Sequence, residues 1–242
     1  MPNPTAAMIV IGDEILSGRT RDANMHHLAR ELTDRGIDLK EVRVISDAPD
    51  AITQTVRALS AAYTHVFTSG GIGPTHDDIT ADNVARAFGV RIDVREDARR
   101  ILQEHYATSG QSLNPARLRM ARIPDGATLI ENPVSAAPGF TLENVHVMAG
   151  VPRIFQAMLA SVLPELTGGS PVLSRSVQIM RPEGDIAGPL ADLAKRYPEL
   201  SMGSYPFNRE GAFGAHVVLR GTDEARLDAA QAELREAFPD DV

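Results

Sequence analysis

Apolar positions in the first two thirds of the chain follow two alternating periods. Continuous apolar runs such as residues 6–11 are typical of strands buried on both faces of a parallel sheet. Between such runs, apolar residues recur at helical spacing, as in residues 25–32, and Gly36 then predicts the end of a helix. The alternation of strands and helices predicts the α/β class, as a three-layer αβα sandwich with a mostly parallel sheet.

The same periods predict the remaining elements and a domain boundary. Strands are predicted at 42–46, 65–68 and 145–148, and helices around 52–59, 84–88, 96–108, 113–120 and 155–166. The Thr-Gly-Gly-Ser-Pro sequence at 167–171 is typical of a linker. Beyond it, the order strand, helix, strand, strand, helix predicts a small α+β module. We therefore expect two domains, residues 1–168 and residues 169–242.

Composition excludes several classes of function. The 242 residues include 32 acidic and 24 basic side chains, and a net charge of -8 argues against an extended nucleic-acid-binding face. The absence of cysteine excludes disulfides, thiolate metal sites and cysteine nucleophiles. Since no apolar run reaches the length of a membrane span and no signal peptide is evident, we expect a cytoplasmic protein without membrane partners.

The clearest chemical pattern lies between the third predicted strand and the third predicted helix. Three glycines within four positions let the backbone turn tightly and approach a ligand, and the helix that follows offers free N–H groups. Ligands bind at this edge of α/β sheets, so the loop is suited to a phosphate. It matches neither the dinucleotide fingerprint nor the P-loop, which disfavours a nicotinamide oxidoreductase. The predicted ligand-binding residues are Ser69, Gly70, Gly71, Gly73, Pro74 and Thr75.

Carboxylates crowd the same loop. Asp77, Asp78 and Asp82 would repel a bare phosphate unless a divalent cation such as Mg²⁺ lies between them. The alternative for Asp82 is that it complements the helix dipole behind a Thr80 cap. Because neither Asp77 nor Asp78 is needed to start the helix, these two are predicted metal ligands.

Acidic residues also follow the first two predicted strands. Asp13 and Glu14 are candidate ligands of the same metal, and Gly12 is a candidate ligand-binding residue, with a solvated turn as the alternative. Asp47 is either a helix cap, which the pattern favours, or an active-site carboxylate.

A fourth loop, residues 132–139, is constrained by two prolines. Ser135, Pro138 and Gly139 are predicted to lie against a ligand, since such loops present a flat backbone. The alternative is a plain rigid connection between two elements.

Two of these segments resemble a known family. The sequences at 12–18 and 70–80 are similar to those of the molybdopterin-binding (MoCF) domain. They resemble in particular the N-terminal domain of competence/damage-inducible protein A (CinA-like) and the MoCF-like domain of eukaryotic FAD synthase. Residues 133–140, 150–152 and 203–206 fit the same family, so the resemblance covers almost the whole chain.

The resemblance implies a pterin or nucleotide-diphosphate ligand and places family acids on Asp78, Asp82 and Asp47 as catalytic residues. CinA-like domains imply a divalent-metal-dependent pyrophosphatase acting on ADP-ribose-like substrates. Two alternatives stay open: a non-catalytic molybdopterin-binding module, and a molybdopterin adenylyl-transfer-type enzyme of molybdenum cofactor biosynthesis. The family also implies a homo-oligomer, either a dimer or a trimer.

The chain departs from the family pattern at two places. Ser135 and Ala136 stand where CinA-like proteins usually have Gly-Thr, and Ile154 and Phe155 stand where they usually have Glu-Met. Loss of that glutamate removes a possible metal ligand or base, so the resemblance supports ligand binding more strongly than catalysis.

Overall fold

The computed structural model describes residues 2–209 and 212–239. The chain divides into two compact units, Met1–Gly169 and Ser170–Val242, and each has a hydrophobic core of its own. In the part of the chain that is described, no helix combines the length and the apolar character needed to cross a membrane.

A six-stranded sheet runs through the first unit in the order β2-β1-β3-β8-β7-β6. Strands β2, β1, β3 and β8 are parallel, whereas β7 is antiparallel to both of its neighbours. Strands β4 and β5 form a separate antiparallel pair. The strands are β1 Thr5–Ile11, β2 Asp38–Ile45, β3 His65–Ser69, β4 Ile92–Val94, β5 Arg122–Pro124, β6 Thr128–Ile130, β7 Gly139–Leu142 and β8 Val145–Met148.

Helices cover both faces of this sheet. Alternate residues of β1 point to opposite sides, so Ala7, Ile9 and Ile11 join one core cluster. Their neighbours Ala6, Met8 and Val10 join the other cluster. The result is the predicted three-layer sandwich. The helices are α1 Asp13–Leu16, α2 Asn24–Asp34, α3 Pro49–Ala62, α4 Thr80–Phe88, α5 Glu96–Thr108, α6 Pro115–Leu118 and α7 Pro152–Val162.

The apolar pattern located the buried strands better than those at the edges. Strand β2 begins at Asp38, four residues before the predicted start, because it is an edge strand on which Val42 and Val44 are exposed. Strands β4 to β7 were not predicted, since three or four residues are too few to show a period. Helix α7 ends at Val162, earlier than residue 166, and a 3-10 turn that contains Pro164 follows it.

The second unit has the predicted order of strand, helix, strand, strand and helix. Its antiparallel sheet has the order β10-β11-β9. Val177, Val217 and Leu219 of the sheet share a core with residues of both helices, such as Ile186 and Leu227. The elements are β9 Leu173–Ile179, α8 Glu183–Arg196, β10 Ser201–Arg209, β11 Ala212–Gly221 and α9 Glu224–Glu236.

Candidate functional site

The carboxyl ends of the parallel strands gather the loops that the sequence singled out. Gly12 follows β1, Asp47 lies just beyond β2, and the glycine loop at 70–79 follows β3. Gly150 follows β8 and lies close to Gly70. A Cβ added at Gly150 would be only 3.2 Å from the Gly70 Cα. The candidate site is therefore built at the sheet edge where α/β proteins bind ligands.

Two glycines of the loop have conformations and neighbours that exclude a side chain. Gly70 has φ 108° and Gly71 has φ 69°, in the left-handed region that favours glycine. A Cβ on Gly70 would meet the carbonyl oxygen of Ile11, and one on Gly71 would meet the Thr80 hydroxyl. These glycines are required by the turn and by packing, independently of any ligand.

Thr80 ties this loop to the helix behind it. Its fully buried hydroxyl donates to the Gly70 carbonyl oxygen at 3.0 Å, and its N–H donates to the Gly71 carbonyl oxygen at 2.9 Å. Helix α4 begins at Thr80, with Ile79 in the cap position and no side-chain cap. The interpretation of Thr80 as a helix cap is therefore wrong, and its hydroxyl instead fixes the loop.

Asp78 and Asp77 have different surroundings. The Asp78 carboxylate accepts hydrogen bonds from the Thr75 N–H at 2.8 Å and from the Thr75 hydroxyl, and it lies against Gly73. Asp77 is exposed, and its pKa is lowered by the Thr75 hydroxyl, by its own backbone N–H and by the nearby His76. Of the two predicted metal ligands, Asp78 is the one held in a defined position.

A shallow, solvent-open cleft lies beside the loop. Gly71, Gly73, Asp78, Asp82 and Pro138 line it, as the sequence predicted for a ligand site. Its other walls are mostly apolar and come from Ile72, Ala81, Met120, Ile123 and Phe140. Apolar walls together with a few charged groups suit an organic ligand that carries phosphate.

Two arginines in the cleft lining were not predicted. Arg119 donates through Nη2 to the Asp78 carbonyl oxygen at 3.4 Å, and Arg122 donates through Nη2 to Asp82 Oδ1 at 2.5 Å. Arg119 begins the 3-10 turn before β5 and Arg122 is the first residue of β5, some 40 residues after the glycine loop. A local cluster of arginines was the only sequence signal, and it did not indicate which side chains would face the cleft.

Asp47 belongs to a second group of carboxylates. It does not cap α3, because Ala48 occupies the cap position without a side-chain hydrogen bond, and Pro49 begins the helix. The favoured interpretation as a helix cap is therefore wrong. Asp47 Oδ2 instead accepts the Asp13 N–H at 2.9 Å. Burial raises its pKa, and so do the negative charges of Asp13, Glu14 and Asp77.

The four predicted metal ligands do not form a ready-made metal cage. Among the described residues, no three His, Asp or Glu side chains are arranged to hold a metal ion. The Glu14 carboxylate lies over Gly12, where a Cβ would be only 2.6 Å from its oxygens. Mg²⁺ often takes only one or two protein carboxylates and completes its shell with substrate phosphates and water. Asp78 at the cleft fits that lesser requirement.

Buried Asn24 connects two of the loops and was also missed. Its side-chain NH₂ group donates to Ser69 Oγ at 2.8 Å and to the Gly150 carbonyl oxygen at 2.7 Å. Asp22 Oδ1 accepts the Met25 N–H at 2.9 Å in the first turn of α2, although Ala23 occupies the cap position. The Ser69 hydroxyl, a predicted ligand contact, is thus held in the interior by Asn24.

The proline-containing loop is organised by buried Asn132. Asn132 Oδ1 accepts the N–H groups of Val134 and Ser135, and its NH₂ group donates to Ser135 Oγ at 2.8 Å. A Cβ on Gly139 would meet the Val147 carbonyl oxygen, so strand packing accounts for this glycine. Among the described residues, these predicted ligand contacts lie outside the cleft lining: Gly12, Ser69, Gly70, Pro74, Thr75, Ser135 and Gly139.

Comparison with protein families assigns both units. Residues 7–168 match the model of the family described as "Probable molybdopterin binding domain". Residues 171–242 match the model described as "FAD synthase, middle domain". The boundary between the two matches lies at the same place as the boundary between the compact units.

Individual relatives have the same two-part similarity. A protein of Pyrobaculum arsenaticum is 37% identical over 210 residues, which are 83% of this chain and 79% of the relative. A "Probable FAD synthase" of Caenorhabditis elegans is 31% identical over 257 residues, covering 96% of this chain but only 49% of the relative. The crystal structure of CinA from Thermoplasma acidophilum, described as of unknown function, has 34% identity and a TM-score of 0.62. It covers 67% of this chain and 97% of that chain.

Proposed function

Because the chain belongs to the molybdopterin-binding domain family over residues 7–168, we propose that its cleft binds a nucleotide diphosphate or a pterin. We further propose that it hydrolyses the pyrophosphate bond of ADP-ribose-like dinucleotides with the help of a divalent metal ion. In that reaction water attacks phosphorus and a phosphoanhydride P–O bond breaks. With ADP-ribose the products are AMP and ribose 5-phosphate.

The single observation that carries this proposal is the lining of the cleft. Asp78, Arg119 and Arg122 lie in one cleft with apolar residues such as Ile123 and Phe140. Guanidinium groups bind phosphate oxygens, and apolar walls accept a flat ring such as adenine or a pterin. The two kinds of surface match the two halves of a nucleotide diphosphate.

A divalent ion fits this proposal through Asp78. Its carboxylate accepts hydrogen bonds from neutral donors on Thr75, and among the described residues it has no ion pair with a basic side chain. When bound, the metal would neutralise phosphate charge and polarise the phosphoryl group. Asp82 is already paired with Arg122, and Asp47 lies with Asp13. Asp78 is therefore the first candidate for the catalytic carboxylate.

FAD is a second substrate to test. Its two halves are joined by the same pyrophosphate link, and relatives named "Probable FAD synthase" cover almost the whole of this chain. This chain spans about half the length of those relatives, so their activity as whole proteins is not transferred to it. Hydrolysis of FAD at this link would yield AMP and FMN.

The test is chromatographic detection of AMP from ADP-ribose and from FAD, with Mg²⁺ or Mn²⁺ and with EDTA. We expect metal-dependent release by the wild type and its loss in Asp78→Asn, which keeps the shape of the side chain. Asp125→Asn, which changes an exposed aspartate outside the cleft lining, serves as the control. Metal-independent release, or full turnover by Asp78→Asn, would contradict the proposal.

The second candidate function is a non-catalytic module that binds molybdopterin. It is favoured by the absence, among described residues, of three side chains arranged for a metal, and by Ile154 and Phe155 in place of the usual Glu-Met. A molybdopterin adenylyl-transfer-type enzyme is the corresponding catalytic alternative. Calorimetry that gives tight pterin binding without hydrolysis of any diphosphate would favour the module, and transfer of AMP from ATP to the pterin would favour the transferase.

A further inference from the structure

Arg119 carries a charge that its protein partners do not neutralise. The residue opens the 3-10 turn Arg119–Ala121 and lines the cleft. Its recorded partner is the carbonyl oxygen of Asp78, at a long 3.4 Å from Nη2. Within the described ranges, its Nε is buried without a hydrogen-bond partner. A buried guanidinium donor without an acceptor is costly. The contact of Nη2 with a neutral carbonyl oxygen leaves the positive charge of Arg119 available to an anion in the cleft that this residue lines.

Arg122 is held beside the same cleft by a carboxylate. Its Nη2 lies 2.5 Å from Asp82 Oδ1, and the two side chains are 30% and 40% exposed. The pair joins β5 to the first turn of α4. A guanidinium group has five N–H donors, and a single bond to Asp82 fixes its orientation without using them all. Asp82 is thus already paired with an arginine, a partner that neither a metal ligand nor a catalytic base requires. The pairing favours a role for Asp82 in holding Arg122.

We propose that Arg119 and Arg122 together bind the diphosphate group of the ligand, and that Asp82 is a positioning residue that orients Arg122. The proposal rests on the proposed function for the class of ligand, but it requires neither a metal ion nor turnover. Asp82 would then act through Arg122, and only Asp78 would remain as a metal-holding carboxylate of the cleft.

The chemistry of the two groups favours a diphosphate over a single carboxylate. Arginine donors pair with phosphate oxygens in a planar, two-pronged geometry, and two phosphoryl groups offer an acceptor set to each arginine. The short turn between residues 119 and 122 brings the two guanidinium groups to one cleft. The four charged residues that line the cleft are Asp78, Asp82, Arg119 and Arg122, with formal charges that cancel. Arg122 keeps donors for the ligand beyond its bond to Asp82, Arg119 has no carboxylate partner among the described residues, and Asp78 is left as the anion for a metal.

The experiment uses the full chain and inorganic pyrophosphate as the probe, in EDTA and at low salt, with isothermal titration calorimetry as the measurement. We expect the wild type to bind pyrophosphate without metal. Arg119→Gln and Arg122→Gln should each weaken binding by about tenfold or more, because hydrogen bonds between charged groups are lost. Arg95→Gln is the matched control. The Arg95 side chain is 28% exposed and pairs with Asp97 at 2.8 Å, but it lies outside the cleft lining.

The role of Asp82 is tested by a double-mutant cycle on the same affinity. Asp82→Asn should weaken pyrophosphate binding when Arg122 is present and should have no further effect in the Arg122→Gln background. Asp78→Asn should not weaken pyrophosphate binding in the absence of metal, because in this proposal Asp78 contacts the metal ion and not the phosphate. A purely structural role for Asp82 would lower stability and leave this coupling at zero.

Three results would overturn the proposal. The first is that Arg119→Gln and Arg122→Gln both retain metal-free pyrophosphate binding. The second is that Arg95→Gln loses as much affinity as those two variants do. The third is that the wild type binds pyrophosphate only when metal is added. These outcomes are distinct from failure of the proposed function. If the chain binds pyrophosphate through the arginines but never releases AMP, this inference holds and the proposed hydrolase activity is refuted. If the chain hydrolyses its substrate and Arg119→Gln leaves that hydrolysis unaffected, the hydrolase activity holds and this inference is refuted.

Discussion

At the scale of single residues, neighbours in the sequence have unlike surroundings. Asp77 is exposed, whereas the adjacent Asp78 lines the cleft and accepts two hydrogen bonds from Thr75. Both aspartates were predicted to be metal ligands because both lie in one acidic loop of the sequence. Their separation depends on the direction of each side chain in an irregular turn, which no periodic pattern encodes.

The first prediction compares these two aspartates. Asp78→Asn should lower metal-dependent AMP release by about 100-fold or more, because the carboxylate that would hold the metal ion is lost. Asp77→Asn should retain activity to within about threefold, since screening by water weakens an exposed charge. Initial rates at saturating metal test this, with melting temperatures to exclude unfolding. Equal losses in the two variants would contradict the assignment.

A second residue-scale feature is the buried imidazole of His146. Its Nδ1 lies 3.0 Å from Thr141 Oγ1, and its ring stacks on Phe67 with centroids 4.9 Å apart. Burial, with a smaller contribution from the nearby His65, lowers the pKa of His146 to about 3. The native state therefore keeps this ring neutral at a pH where the unfolded chain protonates it.

The second prediction concerns stability against pH. Above pH ~6.5 neither state protonates His146, so its contribution is constant. Below that pH the imidazole of His146 is protonated in the unfolded state but stays neutral in the native state. The free energy of unfolding should then fall by about 1.4 kcal/mol per pH unit, and the fall should continue towards the native pKa of about 3.

Urea unfolding between pH 7 and pH 5 measures this dependence. In His146→Phe the fall should be clearly smaller, because that side chain cannot titrate. The control is His76→Gln, which changes an exposed histidine outside this buried cluster. An unchanged slope in His146→Phe would mean that another group causes the fall.

At the scale of elements, the glycine loop and helix α4 are joined by hydrogen bonds. Thr80 in the first turn of the helix bonds to both Gly70 and Gly71, so the helix start and the loop cannot move independently. The sequence predicted the loop and the helix that follows it. It does not predict this connection, because the role that the sequence offers for Thr80 is the alternative of a cap on its own helix.

The third prediction tests that connection with alanine substitutions. Gly71→Ala should destabilise the chain by about 3 kcal/mol, because it combines an unfavourable φ with a clash. Its Cβ would meet the Thr80 hydroxyl. Gly89→Ala at the other end of α4 has a similar φ of 70° but open space around the Cβ. It should cost only about 1 kcal/mol.

Chemical denaturation of the two variants gives the comparison. The difference between them reports the steric part of the effect, since the backbone strain is common to both. Equal destabilisation by the two substitutions would show that the Thr80 contact contributes nothing.

At the scale of the whole molecule, the two units have separate cores. The two clusters on either face of the large sheet lie within Met1–Gly169, and the third cluster lies within Ser170–Val242. The residues that line the cleft all belong to the first unit. The cleft lining thus comes from one compact unit.

The fourth prediction is that a truncated chain ending at Gly169 folds by itself and binds pyrophosphate as the full chain does. The physical reason is that its apolar faces are covered by its own helices. Circular dichroism with thermal unfolding, followed by calorimetry, tests both parts. A truncated chain without a cooperative transition would refute the independence of the first unit.

The sequence by itself determined the fold class, the order of the buried elements and the loops at the strand ends. Those features depend on hydrophobic period and on glycine, which are local properties. Only the tertiary structure decided that Asp78 faces the cleft, that Asp82 pairs with Arg122 and that Asn24 joins Ser69 to Gly150. These contacts join residues that are 40 or more positions apart, as in the Asp82–Arg122 and Asn24–Ser69 pairs. Their partners are chosen by the packing of the sheet and helices and not by any local pattern.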